Sequence, residues 1–385
     1  MNRLITPLRG LMAVLSLMTA VSGSAQLSGS GYYRLLNTET GRYLTITNDN
    51  VGTSMNSAFS ALVTVKGFEN VESNPASILY LRNVSGTLYD VVCQGADSYV
   101  LVEDHFNITG TGNVYQAWVR YLVTTYYLGD NVSDNTRSQA DINGTARNWY
   151  ILPVNLSTNQ YFGFTAEVQD RTDKRYTTCI ASFPMEIYDS GVQAYYVSHV
   201  VGKYAVMQEL NGVIPPATPV IIKCNGREAK TNRVTIPAKS PAALTGNLLK
   251  GVYFDKTNGL NPEWTPYDAN TMRLIGLTSE GKLGMVKSTR YRLPANKAYL
   301  PVEAGSPDEL TLITYEDYVR QFGPLTTKGD VNGDGKVDVG DIMAIINAMT
   351  TAVPGASASG RAVDVNGDGK VDVGDIMAVI NLMAK

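Results

Sequence analysis

Histidine is scarce in this 385-residue sequence, with His105 and His199 its two representatives. That supply excludes a histidine-rich zinc site and leaves few candidates for a Ser-His-Asp triad. Cysteine is nearly as rare. Cys93, Cys179 and Cys224 are widely spaced and form no C-x-x-C, which excludes a zinc knuckle and a dense disulfide framework. One bridge within the chain, or buried free thiols, are the readings left open. Charged residues make up only 17% of the chain and the formal net charge is −3. There is no basic stripe for nucleic acid and no long acidic tail. No G-x-S-x-G, P-loop or H-E-x-x-H occurs. Beyond the N-terminus no segment is apolar enough to span a bilayer.

What is present points to several small β domains. A chain of this length accommodates two or three. Tyrosine is abundant, at 23 residues, and Gly, Asn, Ser and Thr punctuate short apolar stretches, the pattern of strands joined by turns. Arg3 and Arg9 precede an apolar run from Leu11 to Val21 and then the small residues Ser22 to Ala25. The run is too short for a membrane helix, so residues 1–25 read as a secretory signal cleaved after Ala25. An extracellular or cell-surface location follows from that reading.

Residues 26–155 form the first expected module. Gly31 to Asn37 and Arg42 to Ile46 flank a turn at Glu39 to Gly41, a hairpin signal. A related unit recurs at Ile78 to Asn83 with Leu88-Tyr89, and another around Val119 to Leu128 with Gly129-Asp130-Asn131. The stretch closes on Asn148-Trp149-Tyr150-Ile151-Leu152-Pro153-Val154. The opening YYRLLNTETGRYLTI and the closing NWYILPV resemble the ricin-type β-trefoil, which implies three units about a pseudo-threefold axis. The sugar-contacting Gln-x-Trp pattern of that family is not matched at Trp149, which Arg147-Asn148 precede. Trp118 and Trp149 read as β-core residues.

Residues 156–325 read as a β-sandwich-like module of short strands. Gly212 to Ile222 and Tyr291 to Leu300 repeat one pattern, in which an apolar-Pro turn delivers a strand. Proline has no ladder donor and a fixed φ, so it belongs where strands begin or at an edge. The pair resembles an accessory β module common on secreted proteins of the Bacteroidetes. Glu303 to Lys328 reads as a junction with a last strand at Leu310 to Thr314 and then a short polar connector.

The chemistry concentrates at the C-terminus, residues 328–385. Asp330, Asn332, Asp334, Asp338 and Asp341 occupy positions 1, 3, 5, 9 and 12 of a twelve-residue loop. Gly335 stands at position 6 for a sharp turn, and the Lys336 carbonyl at position 7 can complete the shell. Asp364, Asn366, Asp368, Lys370, Asp372 and Asp375 repeat the loop without a change. A hard cation needs six to eight oxygens, and four carboxylates per loop select Ca²⁺. Two calcium ions are therefore expected. After each loop apolar residues fall at helical spacing: Ile342, Ile345, Ile346 and Met349, then Ile376, Val379, Ile380 and Met383.

Position 12 is Asp rather than Glu, and breakers, not a helix, precede each loop. A loop followed by one helix, given twice, resembles the type I dockerin. The resemblance implies a cohesin or cell-surface scaffold as partner and a place in polysaccharide catabolism. Val339-Gly340 and Val373-Gly374 stand where Ser or Thr is often found in cohesin-binding dockerins, and the basic pair usual on the helix is absent around Asn347 and Asn381.

Two functions fit this inventory. One is a non-catalytic accessory or adhesion protein that binds a glycan. The other is a divergent glycoside hydrolase delivered by its dockerin, which would need two facing carboxylates. Glu263 beside Trp264 is the single candidate acid with a stacking platform.

Overall fold

A computed structural model describes residues 27, 29–46, 62–92, 105–132, 145–254, 265–323, 328–331, 337–351 and 363–384. The signal segment, Cys93, Glu263, Trp264, Asn332, Asp334, Gly335 and Lys336 lie outside the described residues. The chain divides into two compact units, one ending at Leu312 and one beginning at Ile313. The architecture is mainly β, with helices at the C-terminus, as the sequence leads one to expect.

Among the described residues the first unit opens with nine strands: β1 (Gly31–Asn37), β2 (Arg42–Ile46), β3 (Leu62–Lys66), β4 (Leu79–Ser85), β5 (Leu88–Val92), β6 (Phe106–Thr111), β7 (Val114–Tyr121), β8 (Thr124–Tyr127) and β9 (Trp149–Pro153). β1 pairs with β4, β4 with β5, β5 with β6, β6 with β7, β7 with β9, and β9 with β1. Six antiparallel strands thus close a ring, and closure removes the exposed edges an open sheet would carry. Side chains two apart on each strand point inward: Leu79 and Leu81, Tyr89 and Val91, Phe106 and Ile108, Tyr115 and Ala117, Trp149 and Ile151. Trp149 is a core residue as expected, and its indole N–H donates to the Leu128 carbonyl at 2.9 Å. Trp118 is only half-buried and donates to Thr109 Oγ1.

Two details depart from the sequence reading. The stretch Val119 to Leu128 is split by a tight turn at Leu122-Val123 that joins β7 to β8. Arg34, on the opening strand, is fully buried, and its guanidinium donates to Ser77 Oγ and to the carbonyls of Val71, Gln160 and Tyr161. Burial lowers its pKa to about 10. These bonds tie the ring to the chain that leaves it.

The remaining strands are β10 (Phe162–Gly163), β11 (Val168–Gln169), β12 (Arg175–Cys179), β13 (Met185–Ile187), β14 (Gln193–Val201), β15 (Tyr204–Glu209), β16 (Val213–Ile214), β17 (Val220–Cys224), β18 (Arg233–Thr235), β19 (Lys250–Val252), β20 (Met272–Leu277), β21 (Leu283–Val286), β22 (Lys297–Pro301) and β23 (Glu309–Thr314). A small sheet runs β10-β18-β13-β16, and a large one runs β11-β12-β17-β14-β15-β23-β21-β20-β22-β19. Phe162, Met185, Ile214 and Val234 of the small sheet share a core with Ala194, Val220 and Ile222 of the large one. The opposite face of the large sheet meets its own far end, because Tyr195, Val197 and Ile221 share a core with Met285, Leu300 and Leu310. The run Val220-Ile221-Ile222 is therefore buried on both faces, which explains why it is continuously apolar rather than alternating.

Cys179 and Cys224 are free and buried in the core shared with the small sheet, and burial pushes both thiols up to about 12. The two apolar-Pro turns share one backbone device. Ala217 in Pro215-Pro216-Ala217-Thr218 and Asn296 in Pro294-Ala295-Asn296-Lys297 both take φ of 58°. Each turn follows a buried residue, Ile214 or Leu293, and each feeds a strand, as the sequence pattern predicts.

The second unit contains α1 (Tyr315–Phe322), α2 (Val339–Thr351) and α3 (Val373–Met383). Helix α1 corrects the expectation of a polar connector after Thr314. Thr314 Oγ1 accepts from the Asp317 N–H, Glu316 and Asp317 favour the first turn, and Gly323 ends the helix at φ 89°.

Candidate metal centre

Each C-terminal loop is closed onto its following helix by one aspartate. Asp375 accepts from the Asn366 N–H at 3.0 Å and from the Asp372 N–H at 2.9 Å. Asp341 accepts from the Val331 N–H at 2.6 Å and the Asp338 N–H at 2.7 Å. Both side chains are 0% exposed. The residue three before each aspartate completes the helix start: Asp338 Oδ1 accepts from Gly340 N–H and Asp372 Oδ1 from Gly374 N–H, both at 2.7 Å. These are capping boxes with aspartate in the place of the usual glutamate, and they satisfy helix-end donors that would otherwise be orphaned.

The second loop is described in full. Asp364 accepts from the N–H groups of Gly367 and Gly369, Asn366 Oδ1 from Asp368 N–H, and Asp368 Oδ1 from Lys370 N–H. Gly369 at position 6 takes φ 83°, the conformation its place in the loop demands. All six sequence-predicted residues of this loop thus take part in hydrogen bonds within it. In this conformation the oxygens are spread along backbone donors, and among the described residues no three acidic, His or Cys side chains gather closely enough to hold an ion. In the first loop the structure describes Asp330, Asp338 and Asp341; Asn332, Asp334 and Lys336 lie outside the described residues. Asp330 is buried, like Asp341.

The donor set fits a hard cation. Asp364, Asp368, Asp372 and Asp375 place four carboxylates within one loop, and none forms an ion pair among the described residues. Burying an ionised carboxylate without a counter-charge is costly even when backbone N–H groups serve it, and a divalent cation removes that cost. Nitrogen and sulfur ligands are absent from the loop, which disfavours zinc.

The two repeats pack on one another. Ile345, Val365 and Val379 are buried together, and Val337 and Val371, both at loop position 8, pack against them with Ile342, Met349, Ile376 and Leu382. Gly329 lies so close to Leu382 and Val337 that a Cβ there would come within 2.9 Å of each. The expected helical stripe needs one correction. Ile346, Ile380 and Met383 do not join this core but are exposed, and they lie with Val339, Met343, Val373 and Met377 on the open surface. The match between copies is close: Val339 and Val373 are each 61% exposed, Met343 and Met377 52% and 51%. Sequence periodicity finds the inward face, but it does not separate that face from a second apolar one.

No helix among the described residues is long and apolar enough to cross a membrane. No curated protein and no solved structure matches the chain. Proteins with this kind of terminal module are typically extracellular or on the cell surface. The family model described as the dockerin type I domain matches residues 328–384, and the C-terminal segment of this chain is accordingly a type I dockerin, a class of module that binds calcium and docks onto cohesin.

Proposed function

We propose that the dockerin binds two calcium ions, one per loop, and carries the β modules to a cohesin or cell-surface scaffold. The single observation that supports this most strongly is the paired burial of Asp341 and Asp375 at the ends of two identical acidic loops. Asp330, Asn332, Asp334, Asp338 and Asp341, with the Lys336 carbonyl, are the ligands of the first ion. Asp364, Asn366, Asp368, Asp372 and Asp375, with the Lys370 carbonyl, are those of the second. Calcium gathers oxygens that the chain alone leaves on backbone donors, which makes binding and folding one process.

The docking surface is the exposed apolar strip of Val339, Met343 and Ile346, repeated at Val373, Met377 and Ile380. Methionine suits such a surface, since its unbranched side chain adapts to a partner. Valine and glycine in place of Ser or Thr before the last ligand make recognition here apolar rather than hydroxyl-based. Residues 1–25 direct export. The ring of six strands, read as trefoil-like, and the sandwich-like module after it serve as non-catalytic accessory parts in polysaccharide binding.

A titration of the full chain against a type I cohesin module, with calcium and then with EDTA, tests the docking reading. Saturable binding that EDTA abolishes, and that Met343→Asp with Met377→Asp weakens about tenfold or more, is expected. Absence of binding in calcium to cohesins of every available scaffold class overturns it.

A further inference from the structure

Strands β12 and β22 face each other where the large sheet comes back on itself, but no regular ladder joins them. Ile180 N–H donates to the Asn296 carbonyl at 3.2 Å. From there the strands are bridged by side chains. Thr178 Oγ1 accepts from Ala298 N–H at 3.1 Å, and Lys297 Nζ donates to Thr177 Oγ1 at 2.9 Å. Glu167 completes the bridge: its Oε1 lies 3.1 Å from Lys297 Nζ, and its Oε2 accepts from Thr177 Oγ1 at 3.1 Å. Gly251 on β19 permits the close approach, since a Cβ there would run into Ile180.

Two cavities open at this seam, of about 340 Å³ and about 380 Å³, and both are lined by Glu167, Thr178 and Lys297. The first adds the amides Asn74 and Asn296. The second adds the apolar wall of Leu274, Ile275 and Pro294. Each lies in the size range of small-molecule sites. We propose that this seam is a saccharide-binding site, in which Glu167 and Lys297 together hold two adjacent hydroxyls of a sugar whose neighbours extend into the two cavities.

The argument is one of remaining hydrogen-bond capacity. An ammonium has three donors, and Lys297 spends two, on Glu167 and Thr177. A carboxylate offers about four acceptor positions, and Glu167 has filled two. The pair therefore has one donor and two acceptors to spare while remaining neutral overall. One hydroxyl that donates to Glu167 and a neighbour that accepts from Lys297 use that capacity without breaking the pair. The same capacity would serve a zwitterion such as an amino acid, which makes it the competing ligand to test. Charge-assisted bonds of this kind are worth more than neutral ones, and both groups are partly screened from water, with side-chain exposures of 24% for Lys297 and 41% for Glu167. The proposal rests on the accessory reading of the β modules and is independent of the calcium loops.

The test is a calorimetric titration of the full chain, in calcium, with cellotriose, maltotriose, xylotriose and mannotriose, and with glycylglycine as the zwitterionic probe. Saturable binding of at least one trisaccharide is expected, weakened about tenfold or more by Lys297→Met and largely retained by Lys297→Arg. Because Lys297→Met could disturb the seam, hydrogen exchange of the unaltered chain provides a second readout. The bound trisaccharide should slow exchange in segments 165–178 and 295–298. Binding should persist in EDTA. No binding by any of the four sugars, equal affinity of a folded Lys297→Met chain, protection confined to other segments, or binding of glycylglycine in place of the sugars overturns the proposal. None of those outcomes bears on docking through the dockerin.

Discussion

Asp341 and Asp375 occupy the same place in two copies of one unit: each is fully buried, and each accepts two backbone N–H groups, one from the start of its loop and one from the residue three before it. A carboxylate so placed does two jobs. It starts a helix, and in the proposed function it presents the last acidic oxygen to a calcium ion. Asp375→Asn separates them. The amide keeps one acceptor but turns a second polar group into a donor facing a donor, which costs about 1–3 kcal/mol when buried. Urea unfolding of the second unit in calcium should show that loss, with a further part that grows with calcium concentration because the metal affinity falls as well, and Asp341→Asn should behave alike.

The left-handed turn residues give a stabilising prediction. Ala217 and Asn296 hold the same position in the two apolar-Pro turns, both at φ 58°, but only Asn tolerates that conformation readily. Ala217 is exposed, so a larger side chain meets no core. Ala217→Asn should stabilise the first unit by up to about 1 kcal/mol, read as a rise in its unfolding midpoint with an unchanged slope. A fall in the midpoint would contradict the turn assignment.

The thiols should be inert while the chain is folded. Cys179 and Cys224 are buried and their pKa is pushed up to about 12, and the thiolate is the reactive form. Iodoacetamide at pH 8, followed by peptide mass spectrometry, should label them only after denaturant is added. Rapid labelling of the native chain would show that the core opens locally.

Acid sensitivity has one clear contributor. Hydrogen bonds from the Arg233 side chain, at 2.8 Å and 3.1 Å, and from its backbone N–H hold the Asp189 carboxyl below its ordinary value. A depressed carboxylate pKa stabilises the fold above the unfolded value, about 3.9, and that stabilisation is lost as pH falls through the folded value. Asp189→Asn should cost about 1–2 kcal/mol at pH 7, after allowance for solvent at this half-buried pair. The gap between variant and parent should close progressively below about pH 4.

How legible all this was depends on the range of the interactions. The dockerin is local, with each acidic loop contained in twelve residues, so spacing alone marks it and the ligands proposed at Asp364 to Asp375. The ring strands announce themselves by period two, as at Leu79 and Leu81, although Phe106–Thr111 carries too little apolar sequence to be noticed before its neighbours are placed. Helix α1 escaped because the strand ending at Thr314 and the cap of the helix are the same residue. Ile346 and Ile380 fall on the same sequence stripe as the core residues Ile345 and Val379, because apolar residues on both faces of a short helix look like one wide stripe. The meeting of Glu167 with Lys297 is illegible in principle, since it depends on the large sheet returning upon itself across more than a hundred residues.

Hydrogen exchange of the full chain in calcium and in EDTA tests the central claim most directly. Calcium at about a hundred times its dissociation constant adds roughly 2.7 kcal/mol per site, and a unit of this size buries too little to stand without it. The amides of Val339–Thr351 and Val373–Met383 should exchange slowly in calcium and become fast in EDTA, while those of Val220–Cys224 should not change. Identical exchange of both helices in the two buffers would contradict the assignment of a calcium-dependent dockerin fold.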